Sequence, residues 1–358
     1  TGITLNMRSY PELTRLDSSL VTMADVFSEN GYVTGLIGKW HCGEGEGYHP
    51  MDRGFNEFEG FLGYKVNSYF SYELDINREY QKYDGSYLTE VLSQKAIDFV
   101  RRHQKEPFFL HLAHYAPHRP LHAPQEAVDH YLQKGFDENT SKVYAMIEIM
   151  DRGIGELIEE LDRLGIRENT LVIFASDNGP APQNGERPNQ GLRGTKYTIY
   201  EGGIRVPFLF NWEGKLAAAR KDQVVHFIDI FPTLAELCDL KITGPIHFEG
   251  GSLAPLMFGE DPAGLPQQRY WQWNRGVPYY THNAAMRYGS WKLVRPFVTR
   301  NEPGGPSDQQ PVLYDLKNDP FEVKDVSKEN QGIYVYMNMM IEQWSREVEF
   351  ARLQNYNK

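Results

Sequence analysis

Three times before residue 176, a stretch with the hydrophobic period of a helix is followed by a short run that is apolar throughout. No other property of the chain constrains its fold as strongly. Thr22 to Asn30 carries the first helical pattern, with Thr22 suited to the N-cap and Gly31 to the stop. Tyr32 to Ile37 then reads as a strand that Gly38 ends. Leu88, Leu92, Ala96, Phe99 and Val100 line one helical face ahead of the strand Pro107 to Ala113. Val143, Ile147, Met150, Ile154, Leu157, Leu161 and Leu164 do the same ahead of Leu171 to Ala175. Strands without a polar face belong in parallel sheets covered on both sides, so the expected fold class is α/β, a mostly parallel sheet sandwiched by helices.

Val206 to Phe210 and Val224 to Ile230 are further strand candidates, and Pro232 to Cys238 opens another helix. From residue 265 the texture changes to aromatic segments punctuated by Gly and Pro, such as Tyr270 to Trp273 and Ala285 to Val294. These predict short antiparallel strands with a last helix around Gly332 to Leu353, a small antiparallel α+β subdomain. The expected division is 1–264 for the α/β domain and 265–358 for the subdomain.

At 358 residues, 41% hydrophobic and 24% charged, the chain can bury a large core. It contains no apolar run of about 18 residues, so no membrane-spanning helix is expected. A net charge of -11 argues against nucleic acid as a partner, since that needs clustered lysine and arginine. An anionic substrate must then be held by a local basic cluster against the global field. Cys42 and Cys238 are too few for a disulfide framework and read as small buried side chains.

Four polar phrases stand at or near the ends of apolar runs: Gly38-Lys39-Trp40-His41, Ala116-Pro117-His118-Arg119-Pro120, Ser176-Asp177-Asn178-Gly179 and Leu192 to Thr198 around Lys196. Ligands of such sheets sit beyond the carboxyl ends of the strands, so these loops are expected to converge. They would gather two lysines, two histidines, an aspartate and an asparagine, an inventory for gripping a tetrahedral oxyanion and a hard metal ion. Asp177 and Asn178 supply hard oxygens suited to Ca2+ or Mg2+ rather than zinc, although Asn-Gly is also a turn signal. Period-2 spacing would turn Lys39 and His41 to one side, and the prolines around His118 would hold its backbone extended. Lys196 does not satisfy the Walker pattern. His111, His114 and His122 read as structural, and Asp229 to Thr233 as fold-supporting.

In this order, the four phrases resemble the type I sulfatases of the alkaline-phosphatase superfamily. Met286 to Leu293, Leu313 to Leu316 and Asp319 to Glu322 resemble phrases of that family's C-terminal subdomain. The resemblance implies a sulfuric ester hydrolase, acting on a sulfated small molecule or glycan, with catalytic roles for Lys39, His41, His118 and Lys196. Lys39, His118 and Lys196 would bind the sulfate, and an imidazolium at His118 would protonate the leaving alcohol. Asp177 and Asn178 would complete a Ca2+ shell.

The family nucleophile is a formylglycine made from Cys or Ser in a motif like Cys-x-Pro-Ser-Arg. That motif occurs nowhere in the 358 residues, and Thr1-Gly2 resembles the Thr-Gly that closely follows it. Little or no turnover and weak calcium binding are therefore expected of this chain, with the motif expected upstream. A non-catalytic binder of sulfated ligands and a phosphonate or phosphate-ester hydrolase on the same scaffold stay open as alternatives. Specificity is expected in loops 64–84 and 180–191 and in the aromatic C-terminal segment. The compartment is not legible in these residues; the resemblance implies periplasmic, secreted or lysosomal. Oligomeric state is left open.

Overall fold

The computed structural model describes residues 16, 18–182, 189–244, 246–262, 264–273, 283–296 and 310–356. Thr1-Gly2, the centre of loop 180–191 and part of the aromatic C-terminal segment lie outside the described residues. Thr22 caps α1 (Met23–Glu29) as expected: its hydroxyl accepts from Asp25 N–H at 3.0 Å while the Asp25 carboxylate accepts from Thr22 N–H at 2.7 Å. There follow β1 (Val33–Lys39), β2 (Glu57–Phe61), β3 (Ser71–Ile76), β4 (Glu79–Asp84), α2 (Leu88–His103) and β5 (Phe108–Ala113). Strand β1 lies between β2 and β5 and runs parallel to both, with Gly35 opposite Glu57 on one side and Leu110 on the other. Its interior is buried because both faces are covered, which is why it is apolar throughout.

The sheet order is β4-β3-β2-β1-β5. Strands β3 and β4 form an antiparallel hairpin, so residues 71–84 are sheet rather than the variable loop expected over 64–84. Its two-residue turn, Asn77-Arg78, has φ of +52° and +77°, the left-handed pair that matches strand twist. Most of β4 is exposed on both faces, and the apolar alternation that betrays a half-buried strand is therefore missing.

Next come α3 (Gln125–Gln133), α4 (Glu138–Arg163), β6 (Val172–Ala175), α5 (Glu201–Ile204), β7 (Phe208–Asn211), α6 (Ile230–Leu237) and α7 (Ala254–Met257). The core joins Leu88, Leu92, Ala96, Phe99 and Val100 of α2 to Met146, Ile149 and Leu161 of α4 beneath β1. Each large side chain buried there contributes roughly 1.5–3 kcal/mol. Strand β6 pairs antiparallel with β7.

Val224 to Ile230 is not a strand. His226 and Asp229 instead form a capping box, with His226 N–H to the Asp229 carboxylate at 2.8 Å and Ile228 N–H to His226 Nδ1 at 3.2 Å, and the chain turns into α6. Side chains that hydrogen-bond their own backbone draw it away from the sheet ladder. Asp229 is fully buried and pairs with buried Arg269 at 2.9 Å, which bears out the fold-supporting reading.

The last unit is β8 (Gln268–Gln272), β9 (Ala284–Tyr288), β10 (Trp291–Arg295) and β11 (Val312–Asp315), an antiparallel sheet of order β11-β10-β9-β8. Met337 and Ile341 of α8 (Gln331–Tyr356) cover its Ala284, Met286, Leu293 and Leu313. The fold is α/β with a parallel centre, antiparallel edge strands and a C-terminal antiparallel sheet with its helix. Among the described residues no helix is long and apolar enough to cross a membrane.

Candidate active site

Strand β1 delivers Lys39 as its last residue, immediately after Gly38. Gly38 has φ +111°, and a Cβ built there would stand 2.1 Å from the Ala113 carbonyl oxygen of β5, so only glycine permits this approach. His41 lies beyond the strand in a left-handed conformation, φ +55°, with its N–H bonded to Leu62 O at 2.9 Å. The two side chains therefore do not share a side by strand period. They remain within electrostatic reach where the backbone turns at His41, after Trp40, whose indole N–H is tied to Tyr48 O at 2.9 Å.

His118 follows β5. The expected extended backbone is instead a turn, closed by His118 N–H to Tyr115 O at 2.8 Å, with both flanking X-Pro bonds cis. Imidazole Nδ1 lies 2.9 Å from Arg119 O and 2.7 Å from the Tyr115 hydroxyl, which itself donates to Arg119 O at 2.5 Å. A carbonyl can only accept, so Nδ1 carries the hydrogen and Nε2 is left to exchange a proton. Tyr69 donates its hydroxyl hydrogen to His118 O at 2.8 Å, holding the turn from the other side. Tyr115 and Tyr69 were missed from sequence. Tyr115 is recoverable from its place three residues before the histidine, but Tyr69 carries no such signal.

Asp177 and Asn178 follow β6, and the next residue fixes the turn through Gly179 N–H to Gly203 O at 2.9 Å. The Asn178 amide donates to Gly179 O at 2.9 Å. Lys196 is placed by its own N–H, bonded to Pro180 O at 2.9 Å, so the Asp177 and Lys196 loops are stitched together by backbone.

Lys39, His41, His118, Asp177 and Lys196 are electrostatically coupled to one another. Burial first, and then the neighbouring Lys196, lowers the Lys39 ammonium to about 8, against the opposing pull of Asp177 and Cys42. Burial lowers His41 to about 4, helped by Lys39, His118 and Lys196, so this ring is neutral near pH 7. Burial also lowers His118, with Lys39 and Lys196 adding to it, while the Arg119 carbonyl and Asp177 oppose. The site thus carries more positive charge than it comfortably holds, and an anion entering it restores the protonated forms. That suits a tetrahedral oxyanion on the lysines and a proton waiting on His118.

Burial raises the Cys42 thiol, with Lys39 opposing, and the residue is half-buried. Asp177 and Asn178 have the oxygen chemistry of a Ca2+ or Mg2+ site but are two donors where Ca2+ takes about six to eight. Among the described residues no group of three or more His, Cys, Asp or Glu could hold a metal.

The family described as Sulfatase matches residues 3–240, and N-sulphoglucosamine sulphohydrolase, C-terminal, matches residues 194–348. The chain belongs to the sulfatase family, the type I sulfatases of the alkaline-phosphatase superfamily. It is 28% identical to the uncharacterized sulfatase YdeN of Escherichia coli over 87% of this chain and 60% of that protein. It is 33% identical to N-acetylgalactosamine-6-sulfatase of Canis lupus familiaris over 66% of this chain and 48% of that one. The chain thus spans about half to three fifths of the length of these two relatives. The crystal structure of Ps i-CgsB superposes with a TM-score of 0.83 at 30% identity, covering 96% of this chain and 78% of that one.

Proposed function

We propose that the protein is a sulfuric ester hydrolase acting on a sulfated glycan, in which this chain supplies the sulfate grip and the leaving-group acid. The observation that carries the reading is the joint placement of Lys39, Lys196 and His118, with His118 Nε2 left to donate. Support for a sugar comes from a relative named N-acetylgalactosamine-6-sulfatase and from a structural neighbour, Ps i-CgsB, solved in complex with k-i-k-neocarrahexaose. His41, neutral beside the lysines, hydrogen-bonds rather than adding charge. Asp177 and Asn178 would provide two oxygens of a Ca2+ shell, whose charge would favour an oxyanion at the site. A second reading, binding of a sulfated ligand without turnover, would use Lys39, His118 and Lys196 alone and needs no nucleophile.

Binding is therefore the first test. Calorimetric titration with 4-nitrophenyl sulfate should show one site, and Lys196→Ala should weaken it at least about tenfold, because a lysine about 4 Å from a sulfate charge contributes up to ~4 kcal/mol before desolvation. Equal affinity in wild type and variant would remove Lys196 from the site, and preference for the matching phosphate ester would move the substrate class. Turnover of the bound ester separates hydrolase from binder.

The same titration has a pH signature. Lys39 is charged in the free site only below about 8. Sulfate favours the charged form, so affinity should hold below pH 8 and fall as pH rises through it, by up to about tenfold per unit. Proton uptake on binding near pH 8, measured in two buffers of different ionisation enthalpy, checks the sign. A flat profile from pH 7 to 9.5 would show that Lys39 does not meet the anion.

A further inference from the structure

Lys292 of β10 is completely buried, and its ammonium sits between two buried carboxylates, 2.8 Å from Glu201 Oε1 and 2.9 Å from Glu322 Oε1. The second oxygen of Glu322 accepts from Glu201 N–H at 2.7 Å, at the start of α5. Glu322 holds φ +57°, an uncommon conformation for a residue of this kind, and its carbonyl accepts from Arg193 at 2.7 Å. The Arg193 guanidinium lies 4.2 Å from the centre of the Tyr200 ring and also donates to the Tyr314 hydroxyl at 3.0 Å. Both ends of segment 193–205 are thus tied to the C-terminal sheet and the loop after it, and Lys196 stands between the ties.

The segment passes this anchorage on through backbone. Gly202 N–H bonds to Arg193 O at 2.6 Å, and Gly203 O receives Gly179 N–H of the Asp177-Asn178 turn. A Cβ at Gly179 would meet Gly202 O at 1.8 Å, so no side chain cushions the two loops and a shift in one displaces the other. A buried ammonium with two carboxylates is a costly way to stabilise a fold, and such arrangements are often matched by apolar replacements. Here the geometry directs it at one short helix whose backbone lies against residues on both sides of Lys196, Thr195 and Thr198, and against the turn bearing the hard oxygens.

We infer that Lys292, Glu322 and Glu201 are positioning residues that hold Lys196 and the Asp177-Asn178 turn in register from the C-terminal sheet. The inference rests on the sulfatase reading for what Lys196 binds. The test compares Glu322→Gln and the neutral triple variant Glu201→Gln, Lys292→Met, Glu322→Gln with wild type, using inorganic sulfate as ligand. Amide exchange is followed over 193–205 and at Gly179, and the unfolding midpoint is measured. Both variants should bind sulfate at least about tenfold more weakly, as lost preorganisation predicts. They should also exchange faster in that segment, while exchange in α2 and α4 stays unchanged. The triple variant removes the three buried charges together and leaves only Arg287 and Arg205, 23% and 53% exposed and 3.7 and 3.9 Å from Glu201, to be compensated by solvent, so its midpoint should fall less than that of Glu322→Gln while both effects persist. Wild-type protection of 193–205 and Gly179 in the triple variant would overturn the inference, as would undiminished sulfate affinity. If wild type binds no sulfate, the sulfatase reading falls while the exchange rates still decide the anchor.

Discussion

Asp229→Asn is expected to lower the free energy of unfolding by about 3–5 kcal/mol, the loss seen when one partner of a buried ion pair is removed. Asp229 and Arg269 are 0% and 1% exposed, so water cannot replace either group. One Asp229 oxygen accepts from Arg269 at 2.9 Å and from His226 N–H at 2.8 Å, and the other from Gly251 N–H at 3.0 Å. An asparagine keeps one acceptor and turns an amine toward donors, leaving the guanidinium charge uncompensated. Urea unfolding followed by circular dichroism measures the loss. The double variant Asp229→Asn, Arg269→Met should recover part of it, because the unpaired charge is gone while one of the two backbone donors still lacks an acceptor. A single variant within about 1 kcal/mol of wild type, the scale of an ordinary hydrogen bond, would show that the pair does not hold α6 to β8.

Gly38→Ala is the second large effect, expected to cost about 2–6 kcal/mol. A backbone held at φ +111° costs a residue with a side chain of order 1–3 kcal/mol, and forcing a methyl into a packed interior adds about 1–3. The new Cβ would meet Ala113 O at 2.1 Å, a backbone atom of the neighbouring strand that cannot rotate away. Strands β1 and β5 must part, and Lys39 is the next residue, so sulfate affinity should fall even in the folded fraction. Urea unfolding and sulfate titration at low temperature measure the two losses separately. Retained stability with retained affinity would mean that β5 yields at no cost and that Lys39 is not aimed by this contact.

Both predictions concern residues whose importance differs in how far the sequence discloses it. Gly38 ends an apolar run and precedes a lysine, and the sequence marks it as the end of a strand. Asp229 sits in a recognisable phrase, yet its partner is 40 residues on. The same division runs through the site. Lys39, His118 and Asp177 stand out in the sequence because each follows closely on an apolar run, and strand ends of parallel sheets are where ligands lie, whereas Lys196 follows a long polar loop and stands out only through its glycine-flanked family phrase. The hairpin of β3 and β4 was not, because an exposed edge strand such as Glu79–Asp84 carries no apolar alternation. The 224–230 segment was misread because its apolar residues are those of a strand while His226 and Asp229 cap a turn.

The sequence by itself determined the three helix-and-strand units before residue 176, the parallel centre of the fold and the strand ends after which Lys39, His118 and Asp177 stand. Those depend on period and on local punctuation, which act over a few residues. The tertiary structure alone decided that β1 lies between β2 and β5, that His118 presents Nε2, and that Lys292 joins Glu201 and Glu322 from 91 and 30 residues away along the chain, by the difference of their numbers. These depend on which surfaces meet when distant segments exclude water together. A charge whose value is set by desolvation and by partners far along the chain leaves no local signature.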